Sequence, residues 1–402
     1  MKILQVINAF YPPYSSGGAA YVAHNISKIL ARRGHEVTVY TTNVLSRNKL
    51  FNPKQNPNYI SGVEVYYFNV IFYKPSFQVY FSKELVEAIR KNAVNYDVVH
   101  LHEYRSYISL VTNHYLRKRG IPYVLQAHGQ LPRIMVKRGL KIVFDVFFGY
   151  RILHEASKVI ALTRVEAEQY KSMGVPEEKI AIIPNGIDLS EYTDLPPKGA
   201  FKRKFNIPEG KKIILYLGRI HKTKGIEFLI KAYAYLINEM NFREAVLVIA
   251  GPDDGYLSEV KQLVDSLEAA NKVMFTGMLS EKEKISAYVD STIVVNVEPK
   301  NVFGLVPLEA AACSTPVIVS RGNAISDVVN EGKFGFSIKY GNVNKLAEII
   351  SEVLTDDNLL KEMGQNGRKF VFENYDWANS VSKLERVYEE VMHDKNNDTY
   401  RC

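Results

Sequence analysis

The chain of 402 residues is longer than one hydrophobic core usually organises, so we expect two domains, and its 47% hydrophobic content is sufficient for both cores. Cysteine occurs only at Cys313 and Cys402, which excludes a disulfide framework and fits a reducing compartment. The net charge of +8 fits either contact with an anion or a surface with surplus lysine, and charge alone does not choose between sugar phosphates, anionic lipid and nucleic acid.

The chain starts with a short apolar run, Met1 to Ile7, that Pro12 and Pro13 soon interrupt. This run matches neither the core nor the cleavage site of a signal peptide. No window of the sequence offers the roughly 18 uninterrupted apolar residues of a membrane-spanning helix. We therefore expect a cytoplasmic protein that does not cross a bilayer.

Short β-branched runs alternate with longer helical patterns, which is typical of parallel sheets covered by helices on both faces. Strands are predicted in two series, at 2–7, 36–41, 98–100, 123–126, 158–162 and 180–183, and then at 213–217, 245–250, 273–275, 292–297 and 316–320. The pattern predicts an α/β protein with two Rossmann-like, doubly wound parallel-sheet domains. We expect a first domain at 1–190, a linker at 191–212, a second domain at 213–376, and a helix at 377–394 that packs across the domain junction.

In open parallel sheets, ligands bind beyond the carboxyl ends of the strands. Gly17 and Gly18 follow the first strand and precede a helix, a position where backbone N–H groups can approach a phosphate closely. A glycine pair is equally typical of a plain turn. The loop lacks the full G-x-G-x-x-G fingerprint, which disfavours a dehydrogenase.

The first strand of the second series ends in a run of cations that includes Arg219, Lys222 and Lys224, and a helix begins directly after it. Positive charge at a helix N-terminus opposes the helix dipole and destabilises the fold unless an anion joins it. We therefore favour a bound diphosphate over a solvated charge run. Arginine can hold phosphate oxygens bidentately, and lysine can follow a moving charge.

A further loop leads from Glu298 to Glu309 after the strand that ends at Val297. Gly304 is expected to allow a tight turn, Pro307 suits the first helical position, and Glu309 then lies in the first helical turn. Glu309 is either a capping carboxylate or a ligand that accepts hydrogen bonds from the two ribose hydroxyls of a nucleotide.

His128 comes directly after the strand at 123–126, at the carboxyl end where a side chain can face a cleft between domains. A lone histidine is more often structural than catalytic. The position of His128 favours the catalytic interpretation without excluding the structural one.

Taken together, these residues resemble glycosyltransferase family 4, whose members are retaining enzymes of the GT-B fold. The resemblance covers nearly the whole chain and rests on Gly17-Gly18, 97–102, His128-Gly129, 184–188, Gly218-Arg219 with Lys224-Gly225, 303–310 and 315–317. It implies a nucleotide-diphosphate sugar as donor, held in the cleft between the domains. It implies no cofactor.

The resemblance also implies individual roles. Arg219 and Lys224 would bind the donor diphosphate, Glu309 would hold the ribose, and His128 would lie near the transferred sugar. The implied catalytic residues are His128, Arg219 and Lys224. The implied donor-binding residues are Gly17, Gly18, Arg219, Lys224, Gly277, Met278, Asn301, Phe303, Gly304, Leu305 and Glu309.

Asn301 departs from the family pattern, which has two glutamates separated by seven residues and would place the first of them at position 301. Glu298 lies three residues too early to replace it without a rearranged loop. An amide still forms hydrogen bonds to sugar hydroxyls but carries no charge. The identity of the transferred sugar is therefore open, as is the level of activity.

For the mechanism, we expect the cations to stabilise the charge that grows on the leaving diphosphate. The acceptor would attack from the face that the diphosphate leaves, and His128 would position the sugar. A covalent route would need a carboxylate about 5 Å from an acid partner, and Asn301 cannot supply it. No metal is expected, because Asp253-Asp254 lies in a Gly-Pro-Asp-Asp-Gly segment typical of a turn.

Segment 131–153 combines basic residues with many apolar ones, and Lys137, Lys141 and Asp145 share one stripe at four-residue spacing. One interpretation is an internal helix with an exposed basic edge. The other is peripheral contact with an anionic membrane, through which a lipid-linked acceptor would reach the site. The acceptor itself, whether a sugar, a lipid-linked sugar or a polysaccharide, stays open, and no nucleic acid partner is expected.

Three alternatives compete with an active transferase. A nucleotide-sugar epimerase has the same fold, but the patterns around Arg219 and Glu309 belong to the transferase. A phosphorylase with pyridoxal phosphate would need a cofactor lysine motif, which we do not find. Asn301 raises the third alternative, an inactive subunit that binds the donor and supports a partner.

Overall fold

A computed structural model describes residues 1–10, 18–46, 49–53, 55–74, 79–132, 138–299 and 303–399. The chain forms two compact units, Met1–Asn185 with Trp377–Cys402, and Gly186–Asp376.

The first unit begins as an alternation of strands and helices. Its elements are β1 (Lys2–Val6), α1 (Gly18–Arg32), β2 (Glu36–Thr42), β3 (Val44–Ser46), β4 (Lys49–Leu50), β5 (Asn58–Ile60), β6 (Val63–Phe68), β7 (Phe72–Lys74), β8 (Val79–Phe81), α2 (Lys83–Asn92), β9 (Val98–His102), α3 (Tyr107–Lys118), β10 (Tyr123–Gln126), α4 (Arg138–Phe144), α5 (Tyr150–Glu155), β11 (Lys158–Ala161), α6 (Arg164–Ser172) and β12 (Ile180–Ile182). A π-helical turn, Asp145–Gly149, joins α4 to α5.

Among the described residues, eight strands form the main sheet of this unit, in the order β12-β11-β10-β9-β1-β2-β6-β5. All neighbours are parallel except β5 and β6, which form an antiparallel edge. The strand order reverses at β1, which lies between β2 and β9, with Ile3 opposite both Val37 and Val98. The central strands are buried along nearly their whole length, as expected for a sheet covered on both faces.

The second unit follows the same alternation. Its elements are α7 (Ala200–Lys204), β13 (Lys212–Leu217), α8 (Ile226–Asn238), β14 (Ala245–Ala250), α9 (Leu257–Ser266), β15 (Val273–Gly277), α10 (Glu281–Asp290), β16 (Ile293–Asn296), α11 (Leu305–Ala312), β17 (Val317–Ser320), α12 (Ala324–Glu331), β18 (Gly335–Ile338), α13 (Val343–Thr355) and α14 (Asp357–Asn374). The last helix of the chain, α15 (Trp377–Thr399), belongs to the first unit.

The described strands of the second unit form a parallel sheet in the order β15-β14-β13-β16-β17-β18. Counted within the unit, this is the doubly wound order 3-2-1-4-5-6, and its reversal lies between β13 and β16. The predicted fold class of two doubly wound parallel sheets is therefore confirmed. In these two sheets, the sequence prediction missed β6 and the edge strands β5 and β18.

Two boundaries differ from the predicted ones. The segment predicted as the linker 191–212 packs into the second unit, where Tyr192, Phe201 and Ile207 are buried. Asp290 also holds the start of α7 there, since its carboxylate accepts hydrogen bonds from the backbone N–H groups of Gly199 and Lys202 at 2.5 and 3.0 Å.

The final helix packs on the first unit, and its predicted packing across the domain junction stays a prediction. Trp377, Val381, Leu384 and Tyr388 of α15 are buried against α1 and the sheet of the first unit. On the surface of the same contact, Arg33 and His35 pair with Glu385. The chain thus returns, after the second unit, to complete the core of the first.

A buried ion pair fixes the π-helical turn to the first sheet. Asp145 is fully buried, and both of its carboxylate oxygens accept hydrogen bonds from Arg105 at 2.8 Å. Tyr104 donates a further hydrogen bond to Asp145 at 2.9 Å. Removing one member of such a pair leaves the other charge buried without compensation.

Asp145→Ala is expected to lower the free energy of unfolding of the first unit by about 3–5 kcal/mol, because Arg105 would lose its buried counterion. Urea unfolding followed by circular dichroism measures this change. Glu36→Ala is the control, since it breaks an ion pair with Lys2 whose two side chains are largely exposed. Equal effects of the two substitutions would contradict the role given to Asp145.

Candidate functional site

The loop after β13 presents Arg219 at the carboxyl end of the second sheet. Its side chain is 53% exposed, and its guanidinium pairs with Asp254 at 2.5 Å. The backbone fixes this geometry, because Ile220 donates to the carbonyl of Pro252 and accepts from the N–H of Asp254. Asp253, the neighbour of Asp254, accepts hydrogen bonds from the backbone N–H groups of Gly255, Tyr256 and Leu257. This pattern is typical of an aspartate in a turn.

Lys224 lies at the reversal point of the same sheet. Its ammonium group contacts Oε1 of Glu298 at 2.5 Å, and Glu298 is nearly buried in the loop after β16. The pair therefore joins the loops that follow the two strands between which the order reverses. Gly225 then caps α8 with φ of 70°, and a side chain there would collide with the carbonyl of Val297.

Glu309 is buried on α11 and held by two side chains of α10. Tyr288 donates to its Oε2 at 2.7 Å, and the Lys284 ammonium lies 3.2 Å from Oε1. Burial works to lower the pKa of Lys284, but the attraction of Glu309 and Glu281 outweighs it and raises that pKa. A carboxylate has about four acceptor positions, so these two contacts leave capacity for further hydroxyl groups.

Two details of the predicted loop before α11 are wrong. The helix begins at Leu305, so Pro307 is its third residue and Glu309 lies beyond the first turn. Gly304 has φ of −95°, which any residue adopts, so its backbone conformation does not require glycine. The capping interpretation of Glu309 therefore fails, because its carboxylate is held by side chains of another helix.

The other residues predicted to bind the sugar donor lie in different parts of the two units. Gly277 ends β15 with φ of 72°, and the side chain of Met278 after it is 67% exposed. Phe303 and Leu305 are half-buried against the core of the second unit, and Gly18 is exposed at the start of α1. Gly17 and Asn301 lie outside the described residues, so their predicted roles stay predictions.

In the first unit, His128 follows β10 in a left-handed conformation with φ of 50°, which is unfavourable for residues other than glycine. Buried Glu166 of α6 stabilises this turn. Its carboxylate accepts hydrogen bonds from the N–H of Gly129 at 2.8 Å and from that of Leu162 at 2.7 Å. Burial raises the pKa of Glu166, and these two hydrogen bonds oppose the rise.

His128 ends a chain of buried hydrogen bonds. Its Nε2 lies 2.9 Å from Nδ1 of His102, and Nε2 of His102 lies 2.6 Å from Oε1 of Gln5. The amide of Gln5 donates to the hydroxyl of Tyr388 at 3.3 Å, and that hydroxyl lies 2.7 Å from Nδ1 of His100. This series of hydrogen bonds thus links α15, β1, β9 and the loop after β10.

The donor and acceptor roles in this series of hydrogen bonds show which ring nitrogens of His102 and His128 carry a proton. Burial lowers the pKa of His100 and His128 to about 3 and that of His102 well below its usual value, so all three rings are neutral at pH 7. His102 must donate through Nε2 to Gln5, which leaves its Nδ1 as an acceptor for Nε2–H of His128. His128 is therefore left with an unprotonated Nδ1 that can accept a hydrogen bond from a hydroxyl group.

Glu103 lies at the reversal point of the first sheet, where β9 ends beside β1. It also has a left-handed backbone, with φ of 71°, and its carboxylate accepts a hydrogen bond from the Asn8 amide. Burial raises the pKa of Glu103 to about 7, although the hydrogen bonds from Asn8 work in the opposite direction. A carboxyl group in this range exchanges a proton near neutral pH, which is characteristic of functional sites.

Within the described ranges, no cluster of three or more His, Cys, Asp or Glu side chains is arranged to hold a metal ion. In the same ranges, no helix combines the length and apolarity that a membrane crossing requires.

Two family models match consecutive parts of the chain. The model described as Glycosyltransferase Family 4 matches residues 16–191, and the model described as Glycosyl transferases group 1 matches residues 197–370. The chain belongs to glycosyltransferase family 4.

Individual relatives agree with this assignment. An uncharacterized glycosyltransferase of Methanocaldococcus jannaschii is 29% identical over 95% of this chain and 96% of its own length. The N-acetyl-alpha-D-glucosaminyl L-malate synthase of Bacillus anthracis is 26% identical over 96% and 97%. The crystal structure of Anabaena HepE in complex with UDP-glucose superimposes with a TM-score of 0.77 at 20% identity, covering 97% of this chain and all of HepE. The GT-B fold is thereby confirmed.

The partners of the predicted site residues of this glycosyltransferase were not predicted from its sequence. Asp254 and Glu298 could have been found, because each is a carboxylate in a loop after a strand adjacent to β13. His102, which holds His128, lies in a segment that carried the family resemblance but no predicted role. Glu103 and Asn8 gave no sequence signal, since only the strand order brings them together.

Glu103→Gln is expected to stabilise this glycosyltransferase above neutral pH. Folded Glu103 keeps its proton up to about pH 7, whereas the ordinary pKa is 4.5, so the free energy of unfolding falls as pH rises between these values. Glutamine resembles the protonated carboxyl group, so it should add about 3 kcal/mol to the free energy of unfolding at pH 8 and only about 1 kcal/mol at pH 5.

Urea unfolding of wild type and variant across pH 5–8 measures this difference. Glu389→Gln is the control, since Glu389 is exposed on α15. A pH-independent difference for Glu103→Gln would show that its carboxyl group titrates normally.

Proposed function

We propose that this glycosyltransferase moves a sugar from a nucleotide-diphosphate sugar to an acceptor hydroxyl, with retention of the anomeric configuration. The observation that carries the proposal is the placement of Arg219 and Lys224 at the carboxyl end of β13, where doubly wound sheets bind their ligands. The HepE complex with UDP-glucose supports this class of donor.

The two cations supply the charge that bond cleavage demands. Negative charge grows on the diphosphate as the bond to the sugar breaks, and Arg219 and Lys224 would stabilise it. To do so they exchange their partners Asp254 and Glu298 for phosphate oxygens. Because these cations supply the positive charge, the reaction we propose needs neither a metal ion nor a cofactor.

Other residues of the second unit would hold the nucleotide. Glu309 keeps acceptor capacity for two ribose hydroxyls beyond its contacts with Tyr288 and Lys284. The backbone of Gly277 and Met278 would contact the base. Gly17 and Gly18 are proposed to approach the phosphates, and Asn301 the sugar.

His128 would position the sugar in this reaction. Its neutral ring offers Nδ1 as a hydrogen-bond acceptor, which fits a sugar hydroxyl as donor. Retention would follow if the acceptor attacks from the face that the diphosphate leaves, with a phosphate oxygen accepting the acceptor's proton. His128, Arg219 and Lys224 are thus the catalytic residues of the proposal.

We also propose that the acceptor belongs to glycan, glycolipid or cell-envelope polysaccharide assembly, and that the protein works in the cytoplasm at the inner face of the cell membrane. The support is an apolar surface on α4 and the π-helical turn. Val143, Val146 and Phe147 are 53%, 61% and 67% exposed, and Leu140 is exposed beside them. Contiguous exposed apolar residues mark sites of protein or membrane contact.

This surface reverses the simpler sequence prediction for the segment 131–153. An internal helix would bury the apolar residues and expose the polar stripe that ends at Asp145. Instead Asp145 is fully buried and the apolar residues beside it face solvent. Residues 133–137 lie outside the described part, so the polar stripe is described only from Lys141 onward.

Arg219→Ala and Lys224→Ala are each expected to lower turnover roughly a hundredfold or more, because each removes stabilisation worth about 3–4 kcal/mol in the transition state. The assay follows hydrolysis and transfer across a panel of nucleotide sugars, in the presence of EDTA. Lys231→Ala is the matched control, since Lys231 is an exposed lysine farther along α8.

Near-normal turnover of both variants would refute the assignment of the cations. Loss of wild-type activity in EDTA, with recovery on addition of a divalent ion, would refute metal independence. Donor binding by the wild type without any turnover would favour the inactive subunit that Asn301 suggests.

Phe147→Asp is expected to lower the fraction of protein that sediments with vesicles of phosphatidylglycerol and phosphatidylcholine about tenfold or more, because it removes one large apolar side chain from the contact. Val94→Asp is the control, since Val94 is an exposed apolar residue elsewhere in the first unit. Wild-type protein that stays in solution, or equal sedimentation of Phe147→Asp, would refute the membrane contact.

A further inference from the structure

A cavity of about 360 Å³ lies in the first unit between α2, α3 and α5. Its volume falls within the range of small-molecule sites. Its walls are mostly apolar, with Val86, Leu110, Val111 and Phe148 among the lining side chains. These helices cover a face of the sheet, and the cavity contains none of the residues assigned above to the donor or to catalysis.

The cavity has a polar end and an apolar end. Helices α3 and α5 run side by side in the same direction. Tyr104, which precedes α3, contacts Phe144, which precedes α5. Near the ends of the two helices, Arg117 pairs with Glu155 at 3.7 Å. In this register, Tyr107 and Phe148 lie toward the start of α3 and Arg117 lies toward its end, with Arg151 about one helical turn beyond Phe148 in the direction of Arg117. The ten residues from Tyr107 to Arg117 span about 15 Å of helix.

Charge distinguishes the polar end. Arg117 and Arg151 are both exposed at the rim, and Glu155 is the carboxylate that pairs with Arg117. Two guanidinium groups with one carboxylate leave a net positive charge. Arginine matches the geometry of a phosphate, so this end suits an anionic headgroup, and the apolar end suits a hydrocarbon chain.

Phe148 connects the cavity to the proposed membrane surface. It lines the cavity, and it is itself exposed next to Phe147 on the apolar surface of the π-helical turn. A molecule of the membrane could therefore enter the cavity without crossing water.

We propose that this cavity binds one anionic phospholipid, with an acyl chain along Leu110, Val111 and Phe148 and the phosphate at Arg117 and Arg151. The lipid is an anchor and not the sugar acceptor, because the phosphate lies toward the end of α3. His128 and Glu103 lie at the opposite edge, where the strands end. This proposal rests on the proposed membrane contact.

Calorimetric titration with monomeric dihexanoyl phosphatidylglycerol tests the proposal on the full-length protein. Wild type should bind one molecule, and Arg151→Gln should bind it at least about tenfold more weakly, since it loses a charge-assisted contact. Val111→Trp should abolish binding by filling the apolar end. Arg32→Gln should bind like wild type, because Arg32 is an exposed arginine on α1, which packs with the other core cluster of the unit.

Glycerol phosphate, which has the headgroup charge without acyl chains, should show no measurable binding. Binding of glycerol phosphate as strong as that of the lipid would replace the lipid site by a simple phosphate site. Absent lipid binding by the wild type, or unchanged binding by Arg151→Gln, would overturn the proposal.

Turnover without lipid separates this proposal from the proposed function. Arg151→Gln should turn over nucleotide sugars at the wild-type rate. A wild type without any turnover would refute the transferase reaction and leave the lipid titration as it stands, whereas a failed titration with normal turnover would refute the lipid site alone.

Discussion

The reversal of strand order in each parallel sheet is the constraint on which the rest of this molecule depends. At β1 and β9, and again at β13 and β16, two adjacent strands continue into helices that lead away in opposite directions. The loops that follow these strands therefore separate and leave a crevice at the edge of the sheet. A polar pair crosses each crevice, Asn8 with Glu103 in the first unit and Lys224 with Glu298 in the second.

The two cations of the second unit already have partners before a ligand arrives. Asp254 and Glu298 offset the positive charge that Arg219 and Lys224 place near the start of α8. The diphosphate of the proposed donor would therefore compete with these carboxylates, and its binding would replace existing contacts and add few new ones. Under that proposal the arrangement would limit affinity for the ground state and favour the transition state, in which the phosphate carries more charge than either carboxylate.

Most of the parallel strands were predictable from the sequence, because they are short runs of apolar, often β-branched residues. The prediction missed β5 and β6, which lie at an edge and alternate in exposure, and β18, which is short and begins with a glycine. It also failed for the segment around Asp145. Four-residue spacing places Asp145 on the polar stripe, but Tyr104 and Arg105 bind its carboxylate in the core, and no sequence pattern indicates these distant partners.

Residue type and loop position were enough to predict that Arg219, Lys224 and Glu309 follow strands of the second sheet, and their roles in a site stay predictions. A property that arises from packing was not predictable. Glu103 looks like any loop carboxylate in the sequence, and its raised pKa comes from strands that meet only in the folded sheet. The proton assignment of His128 likewise needs Gln5 and Tyr388, which are 383 residues apart.

The return of the chain to its first unit also sets the order in which the protein can be completed on the ribosome. The core beneath α15 lacks Trp377, Val381 and Leu384 until the whole second unit has been translated. At bacterial-scale elongation rates of about 5–20 residues per second, that interval lasts roughly 10–40 s. During this time the nascent first unit presents an open apolar groove beside α1, and the growing second unit is tethered next to it. The second unit must therefore fold as an insertion within an unfinished partner.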